Sequence, residues 1–262
     1  MSEQKKRVQS VEKAFVLLDC LLSAGRPLSL TEITNMIGWA KSTTHAMLVS
    51  LREVGAVEQS AQDGRYWLGF HLMELGSKVS NSWEGVQLAR PRLLHLVNTI
   101  QESAYLSRLC GGELMLVACA EPNEGFQVCA EIGSRVPLHC TTQGKAILAF
   151  MPDSERRRVL EKSGLRPYTH QAVQSLEELE RELAEVRRLG YAVERGEYNT
   201  GLQSVGAPIF DRDGAARYAI SIVSAMRGNA WREFDQAVKL VTEAASSISY
   251  ELAESGRNPL NF

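Results

Sequence analysis

The 262-residue sequence predicts an α+β protein with a winged helix-turn-helix at its amino end. Three observations point there. Three short helical periodicities followed by an Asp-Gly hairpin fill the region up to residue 69. From residue 85 onward, strand-like runs alternate with amphipathic helices. Between the two parts, a helical stretch from Phe70 to Val79 reads as the core of a linker region. The expected division is 1–69, a winged helix-turn-helix; 70–84, a linker helix; and 85–262, a second α+β domain that binds a small molecule and oligomerises.

Each element has its own signal. From Ser10 to Gly25, Val11, Ala14, Phe15, Leu18, Leu21 and Leu22 recur at helical spacing and are expected to face inward. Gly25 and Pro27 stop that helix. Ser29 or Thr31 caps a second helix, with Glu32 in its first turn, Ile33, Met36 and Ile37 on the buried side, and Gly38 at its end. A third helix begins at Lys41-Ser42-Thr43 and runs to Gly55, burying Thr44, Met47, Leu48, Leu51 and Val54. Val57-Glu58 and Tyr66-Trp67-Leu68 flank Asp63-Gly64 and form a hairpin. Three short helices with a tight second connection and a hairpin make a winged helix-turn-helix.

The second part opens with a helix around Val86 to Ser103, then strands at Ala104–Cys110, Leu114–Cys119 and Phe126–Ile132. Thr141 to Met151 and Asp153 to Ser163 read as helices. Leu176 to Leu189 is a charged amphipathic helix with Leu176, Leu179, Leu183 and Val186 inward. Strands at Tyr191–Arg195, Ser204–Phe210 and Tyr218–Ser224 follow, with a turn at Asp213-Gly214, and a helix from Arg232 to Glu254 closes the chain. Helices flanking a mostly antiparallel sheet define the layer arrangement.

Composition excludes several classes. Hydrophobic residues make up 44% and charged residues 23%, the balance of an ordinary soluble domain. The most apolar stretch, Ala216 to Ala225, is broken by Arg217 and serines and falls short of the roughly 18 residues a membrane span needs. The polar start, with Lys5, Lys6 and Arg7, carries no secretory signal, so a cytoplasmic protein is expected. Cys20, Cys110, Cys119, Cys129 and Cys140 form no CxxC and no close pairs, which argues against a disulfide framework or a zinc site. No metal and no cofactor is expected.

The formal charge of −2 argues at first against nucleic acid. Counted locally it does not. Residues 1 to 80 hold nine Lys/Arg against eight Asp/Glu, so the acidic excess belongs to the remainder. The second helix of a helix-turn-helix pair enters the major groove amino end first. With Thr44, Met47 and Leu48 inward, Lys41, Ser42, Thr43, His45 and Ala46 face outward, where small hydroxyls and a Lys suit phosphates and base edges. Arg65, at the hairpin, is placed to reach an adjacent groove or phosphate. So weakly cationic a module needs a second copy for useful affinity, and a homodimer or homotetramer on double-stranded operator DNA is expected.

Ordered motifs then carry a resemblance. Val8-Gln9-Ser10-Val11-Glu12-Lys13-Ala14, Lys41-Ser42-Thr43-Thr44-His45, Gly64-Arg65-Tyr66-Trp67-Leu68-Gly69, Pro137 to Ala146, Gly190-Tyr191-Ala192-Val193 and Ala207-Pro208-Ile209-Phe210-Asp211 stand in sequence, followed by Ala219-Ile220-Ser221-Ile222. Together they resemble the IclR family of bacterial transcription regulators over nearly the whole chain. The resemblance implies a GAF-like effector domain after the linker helix and control of an operon by a small metabolite, with repression the favoured direction. Ala46 stands where the family often has Arg, which removes one phosphate contact from the pattern.

Cys140-Thr141-Thr142-Gln143-Gly144-Lys145 leads from a loop into a helix, and free N–H groups of Thr142, Gln143 and Gly144 there suit a carboxylate. A nucleotide phosphate loop is excluded, because His139 replaces its first Gly and Ala146 follows Lys145. The resemblance adds Glu194, Leu202, Ser204, Ser221 and Val223 to the pocket, with Val128 and Val136 as apolar walls. Three positions depart from the pattern associated with short keto acids: Ser204 replaces a frequent Cys, Val223 a hydroxyl residue and Glu194 a frequent Asp. A less polar pocket is implied, suited to an acid larger than glyoxylate or pyruvate, aromatic or branched. Two other functions compete. One is a hydrolase with Cys140 or Ser204 as nucleophile and His139 as base; the other is an adaptor that docks proteins through its winged helix.

Overall fold

The computed structural model describes residues 8–125, 127–128, 130–226 and 233–255, with the backbone alone at 80 and 81. The chain separates into two compact units, 1–80 and 81–262. The expected basic tail Lys5-Lys6-Arg7 lies outside the described residues, as do Cys129 and Arg232.

The first unit contains α1 (Gln9–Ala24), α2 (Leu30–Ile37), α3 (Lys41–Glu53) and the hairpin β1 (Val57–Gln59) and β2 (Tyr66–Leu68). The strands pair antiparallel with Glu58 opposite Trp67, and Leu28 and Tyr66 exchange backbone hydrogen bonds of 2.9 and 2.7 Å. Leu17, Leu21, Leu28, Ile33, Leu48 and Val57 form a fully buried core. Of the two candidate caps, Ser29 is the one used. Its hydroxyl accepts from Glu32 N–H while the Glu32 carboxylate accepts from Ser29 N–H, a reciprocal box at the start of α2.

The face of α1 differs from expectation. Val11, Phe15 and Leu22 are exposed; Leu21 is buried as expected, and Leu17 and Cys20 are buried beside it. The helix carries two adjacent apolar stripes, and contact with α2 and α3 selects the one containing Leu17 and Leu21. Met36 on α2 and Val54 past α3 are likewise exposed, since both helices end in short turns that carry these side chains off the core.

The boundary between the units falls within α4 (Phe70–Ser82). The second unit continues with α5 (Glu84–Ile100), which ends three residues earlier than expected because Gln101 takes a left-handed conformation, φ 61°. Then come β3 (Ser103–Cys110), β4 (Glu113–Ala120), β5 (Arg135–Val136), α6 (Thr142–Phe150), α7 (Asp153–Ser163), α8 (Leu176–Leu189), β6 (Ala192–Arg195), β7 (Leu202–Phe210), β8 (Ala216–Ala225) and α9 (Phe234–Ser255). Among the described residues the sheet has six strands, all antiparallel, in the order β5-β4-β3-β8-β7-β6.

The strand expected over Phe126–Ile132 is not there among the described residues. Gly125 and Gly133 turn the chain with positive φ, and the edge strand forms later, with Val136 opposite Leu114. Leu176, expected inward on α8, is exposed, while Leu179, Leu183 and Val186 are buried. Being the first residue of its helix, Leu176 lies beyond the stripe that touches the sheet side.

One sheet face packs on α5 and α9 through Leu93, Leu96, Leu106, Ile220, Val241 and Ile248. The other packs on α6 and α8 through Leu114, Ile147, Leu148, Leu179 and Leu183. Covered on both sides, β7 and β8 read as nearly continuous apolar runs rather than alternating ones. α6 is the most completely buried of the described helices, with eight of its nine residues buried.

The box at Ser29 holds α2 in register for α3. Ser29→Ala is expected to lower stability by about 0.5–2 kcal/mol, measured by urea denaturation of the full chain.

Candidate functional site

The amino end of α3 is the first candidate surface. Its cap residue is Ala40, which offers no side-chain hydrogen bond. Ser42 and Thr43 therefore do not cap the helix; with Lys41, His45 and Ala46 they are exposed. Thr44 is buried and donates its hydroxyl to Ala40 C=O at 3.2 Å, so its polar atom is satisfied within the helix start. Hydroxyls, an ammonium, an imidazole and the unpaired N–H groups of the first turn thus share one solvent-facing edge.

Arg65 stands at the turn end of the hairpin and is also bound to the protein's own groups. It donates to the Glu32 carboxylate at 2.9 Å and to Pro27 C=O at 3.2 Å, and it lies 3.5 Å from Asp63. Glu32 also receives Arg26 at 2.9 Å. Hydrogen bonds from Ser29 N–H and hydroxyl, then from Arg26, hold the Glu32 carboxyl down at about 2. The wing is clasped to the second helix, and the Arg65 guanidinium, 39% exposed, is shared between that clasp and solvent.

The second candidate is a cavity of ≈ 90 Å³ between the sheet and the amino end of α6. That is well above the roughly 10–15 Å³ that accommodates one water. Val128, Val136, Gln143, Glu194, Leu202, Ser204 and Val223 line it, as the sequence led one to expect. Thr142 and Ser221 stand one layer behind. Thr142 is hydrogen-bonded to Ser204 at 3.2 Å, and the Gln143 amide donates to Ser221 at 2.7 Å. Gly206 makes this approach possible, because a Cβ there would meet the Thr142 side chain at 3.0 Å.

Of the three N–H groups expected to be free at this helix start, Gly144 N–H is not. It donates to the Thr141 hydroxyl at 3.2 Å, a side-chain cap. Gly144 is needed for packing instead: a Cβ would fall 2.1 Å from Leu138 C=O.

Sequence reasoning missed Tyr105, Ser107, Leu116, Ala130, Thr141, Tyr198 and Asn199 in the wall. The signal for two of them was present. Ala104 and Leu106 face the α5–α9 core, so strand alternation sends Tyr105 and Ser107 to the opposite face.

The electrostatics behind the cavity are unusual. Lys145 on α6 is 1% exposed, with its ammonium 2.5 and 2.6 Å from the two Glu197 oxygens and 2.5 Å from Glu182. Burial pushes the Glu197 carboxyl up to about 7, against the pull of Lys145. Glu194 accepts from Glu197 N–H at 2.5 Å, Tyr198 N–H at 3.2 Å and Ser204 hydroxyl at 3.2 Å, yet burial still raises its titration. A row of ionisable groups therefore runs from the cavity wall inward to Lys145.

The hydrolase alternative fails on chemistry. Burial, then the charge of Glu197, pushes the Cys140 thiol up to about 12, the reverse of an activated nucleophile. The His139 ring donates to Arg166 C=O at 3.1 Å, and Ser204 is bonded to Thr142 and Glu194. Among the described residues no metal-binding cluster occurs, and no helix is long and apolar enough to cross a membrane.

A winged helix-turn-helix with an open recognition edge, followed by a sheet domain with an internal cavity, defines an effector-responsive transcription regulator. Residues 78–250 match the C-terminal domain of the bacterial transcriptional regulator IclR, and residues 10–61 match the IclR helix-turn-helix domain. The chain belongs to the IclR family of bacterial transcriptional regulators, whose members are regulators and not enzymes. It is 29% identical over 248 residues to the transcriptional repressor AllR of Klebsiella pneumoniae, covering 95% of this chain and 91% of that one. It also resembles the crystal structure of an IclR regulator from Alicyclobacillus acidocaldarius (TM-score 0.83, 29% identity, 93% of this chain and 98% of that one). An IclR homologue from Microbacterium hydrocarbonoxydans, solved in complex with 4-hydroxybenzoate, shares the fold (TM-score 0.81, 24% identity, 94% of this chain and 99% of that one).

Removing the ammonium of Lys145 strands Glu197 in the interior. Lys145→Met is expected to cost about 3–5 kcal/mol, read from the shift in the denaturant midpoint.

Proposed function

We infer that this regulator reads its operator with Lys41, Ser42, Thr43 and His45 and is controlled by a carboxylate-bearing metabolite in the cavity. The observation that carries the first half is the uncapped amino end of α3, exposed at each of these residues. Lys41 and the N–H groups meet phosphates, while Ser42, Thr43 and His45 are within reach of base edges. Arg65 belongs to the set with a smaller share, its charge being partly spent on Glu32.

Two copies act together. The exposed Val11, Phe15 and Leu22 on α1 supply an apolar stripe of the kind that covers itself by self-association. A homodimer or a tetramer built from dimers follows, and repression is the preferred direction because AllR is a repressor. The regulatory unit of the chain is then 1–69 for DNA, 70–84 as linker and 85–262 for effector and assembly. Effector binding acts by favouring one arrangement of the linker helix, to the extent that it binds that arrangement better.

The effector is an acid larger and more apolar than a two- or three-carbon keto acid. Leu116, Val128, Val136, Leu202 and Val223 give the cavity carbon walls, and Thr141 and Gln143 line it from the amino end of α6. The N–H groups of Thr142 and Gln143 receive the carboxylate there. Pyruvate or glyoxylate would leave the apolar walls uncovered, whereas an aromatic or branched acid covers them.

Gel shift against the DNA upstream of its own coding region is expected to show affinity falling steeply with salt, and footprinting two half-sites about one helical turn or a multiple apart. Lys41→Ala should weaken every sequence alike and lower the salt slope by about one. Salt-independent or absent binding would instead favour the docking adaptor. For the effector, Glu194→Gln keeps the acceptor for Glu197 and Tyr198 N–H but removes a neighbouring charge. Roughly three- to tenfold tighter binding of a carboxylate in a calorimetric titration is expected.

A further inference from the structure

Ser107 is the one cavity-lining side chain whose buried oxygen has no hydrogen-bond partner among the described residues. It is fully buried. Buried hydroxyls are almost always partnered, so an unpartnered one in a cavity wall calls for an occupant. Its neighbours do not supply a protein partner. Leu116 stands opposite it on β4, Val128 and Val136 are carbon, and the nearby Tyr105 hydroxyl is already committed to Glu121 at 2.5 Å. A free water needs two to four polar partners and is poorly held against such walls.

Strand geometry sets the position of Ser107 relative to the helix end. Its ladder partner on β8 is Ala219, and Ser221 lies two residues on. Such diagonal neighbours are about 7–8 Å apart. Ser221 is the residue that Gln143, in the first turn of α6, contacts at 2.7 Å. The register shift in the β3–β4 pairing leaves its extra residue, Val117, on β4, so β3 runs unbroken against β8 through Ser107.

We propose that Ser107 is a specificity-determining contact for an acid that carries a hydrogen-bonding oxygen, a hydroxyl or carbonyl, at the far end of an apolar spacer. The carboxylate sits at the α6 end, the spacer lies along Leu116, Val136 and Val223, and the distal oxygen meets Ser107. A para-substituted ring or a chain of similar length spans that gap; a two- or three-carbon acid does not. The assignment rests on the effector reading above and adds to it a second polar anchor and a length.

The test is calorimetric titration of the full chain with benzoate and 4-hydroxybenzoate, in the wild type and in Ser107→Ala. The wild type is expected to bind the hydroxy acid about three- to tenfold more tightly, the worth of one neutral hydrogen bond. In Ser107→Ala that preference should fall to about one, with benzoate affinity unchanged. The unliganded variant should melt no lower than the wild type, since only an unsatisfied hydroxyl is removed. A preference that survives the substitution, a wild type that does not distinguish the two acids, or a variant that melts lower because Ser107 was already satisfied, each overturns the assignment. If benzoate binds and the hydroxyl adds nothing, the effector reading stands while the Ser107 contact falls. If neither these acids nor a wider set of carboxylates binds, both fall.

Discussion

The close seating of α6 on the sheet is the constraint on which the second domain depends. Gly144 lets the helix reach the backbone of Leu138, and Gly206 lets Thr142 approach β7. Neither glycine owes its place here to backbone freedom; both are absent side chains at a contact. Because the helix sits that close, eight of its nine residues are buried, among them a lysine. Burying an ammonium requires matched carboxylates, and Glu197 and Glu182 provide them. Cavity, charge row and helix end are thus three results of one packing decision.

Much of this architecture was legible in the sequence because local signals agreed with tertiary ones. Gly38, Gly64 and Gly214 stand at turns with positive φ, and the cap at Ser29 precedes a helix whose Ile33 is buried. Where two readings were locally equal, the sequence could not choose. α1 has two apolar stripes of similar strength, and only contact with α2 and α3 distinguishes Leu17 from Phe15. The run Phe126–Ile132 has strand composition, yet Gly125 and Gly133 beside it take positive φ, and the edge pairing is made by Arg135 and Val136.

The candidate pocket was legible for a different reason. Motif resemblance located β6, β7, β8 and the α6 loop, and half of the cavity wall was named from it. It carried no information about β3, from which Tyr105 and Ser107 enter. Nor could sequence reveal that Lys145 pairs with Glu197, 52 positions on, or that Arg65 crosses to Glu32. Long-range ion pairs leave no periodic trace. The Lys145 pairing alters the reading of its segment: what looked like a basic residue near an anion site is a neutralised structural member.

The clasp at the wing has a mechanical consequence. Ser29, Glu32, Arg26 and Arg65 join the start of α2 to the turn end of the hairpin, and the Leu28–Tyr66 bridge ties the same two pieces through backbone. Recognition helix and wing are fixed to a common frame, so within one copy the module behaves as a rigid stamp with one imprint. A stamp of that kind cannot be tuned internally. In the proposed pair of copies, fidelity to a given operator is decided by how two stamps are spaced and angled, which turns small changes elsewhere into a comparison of distances along the DNA.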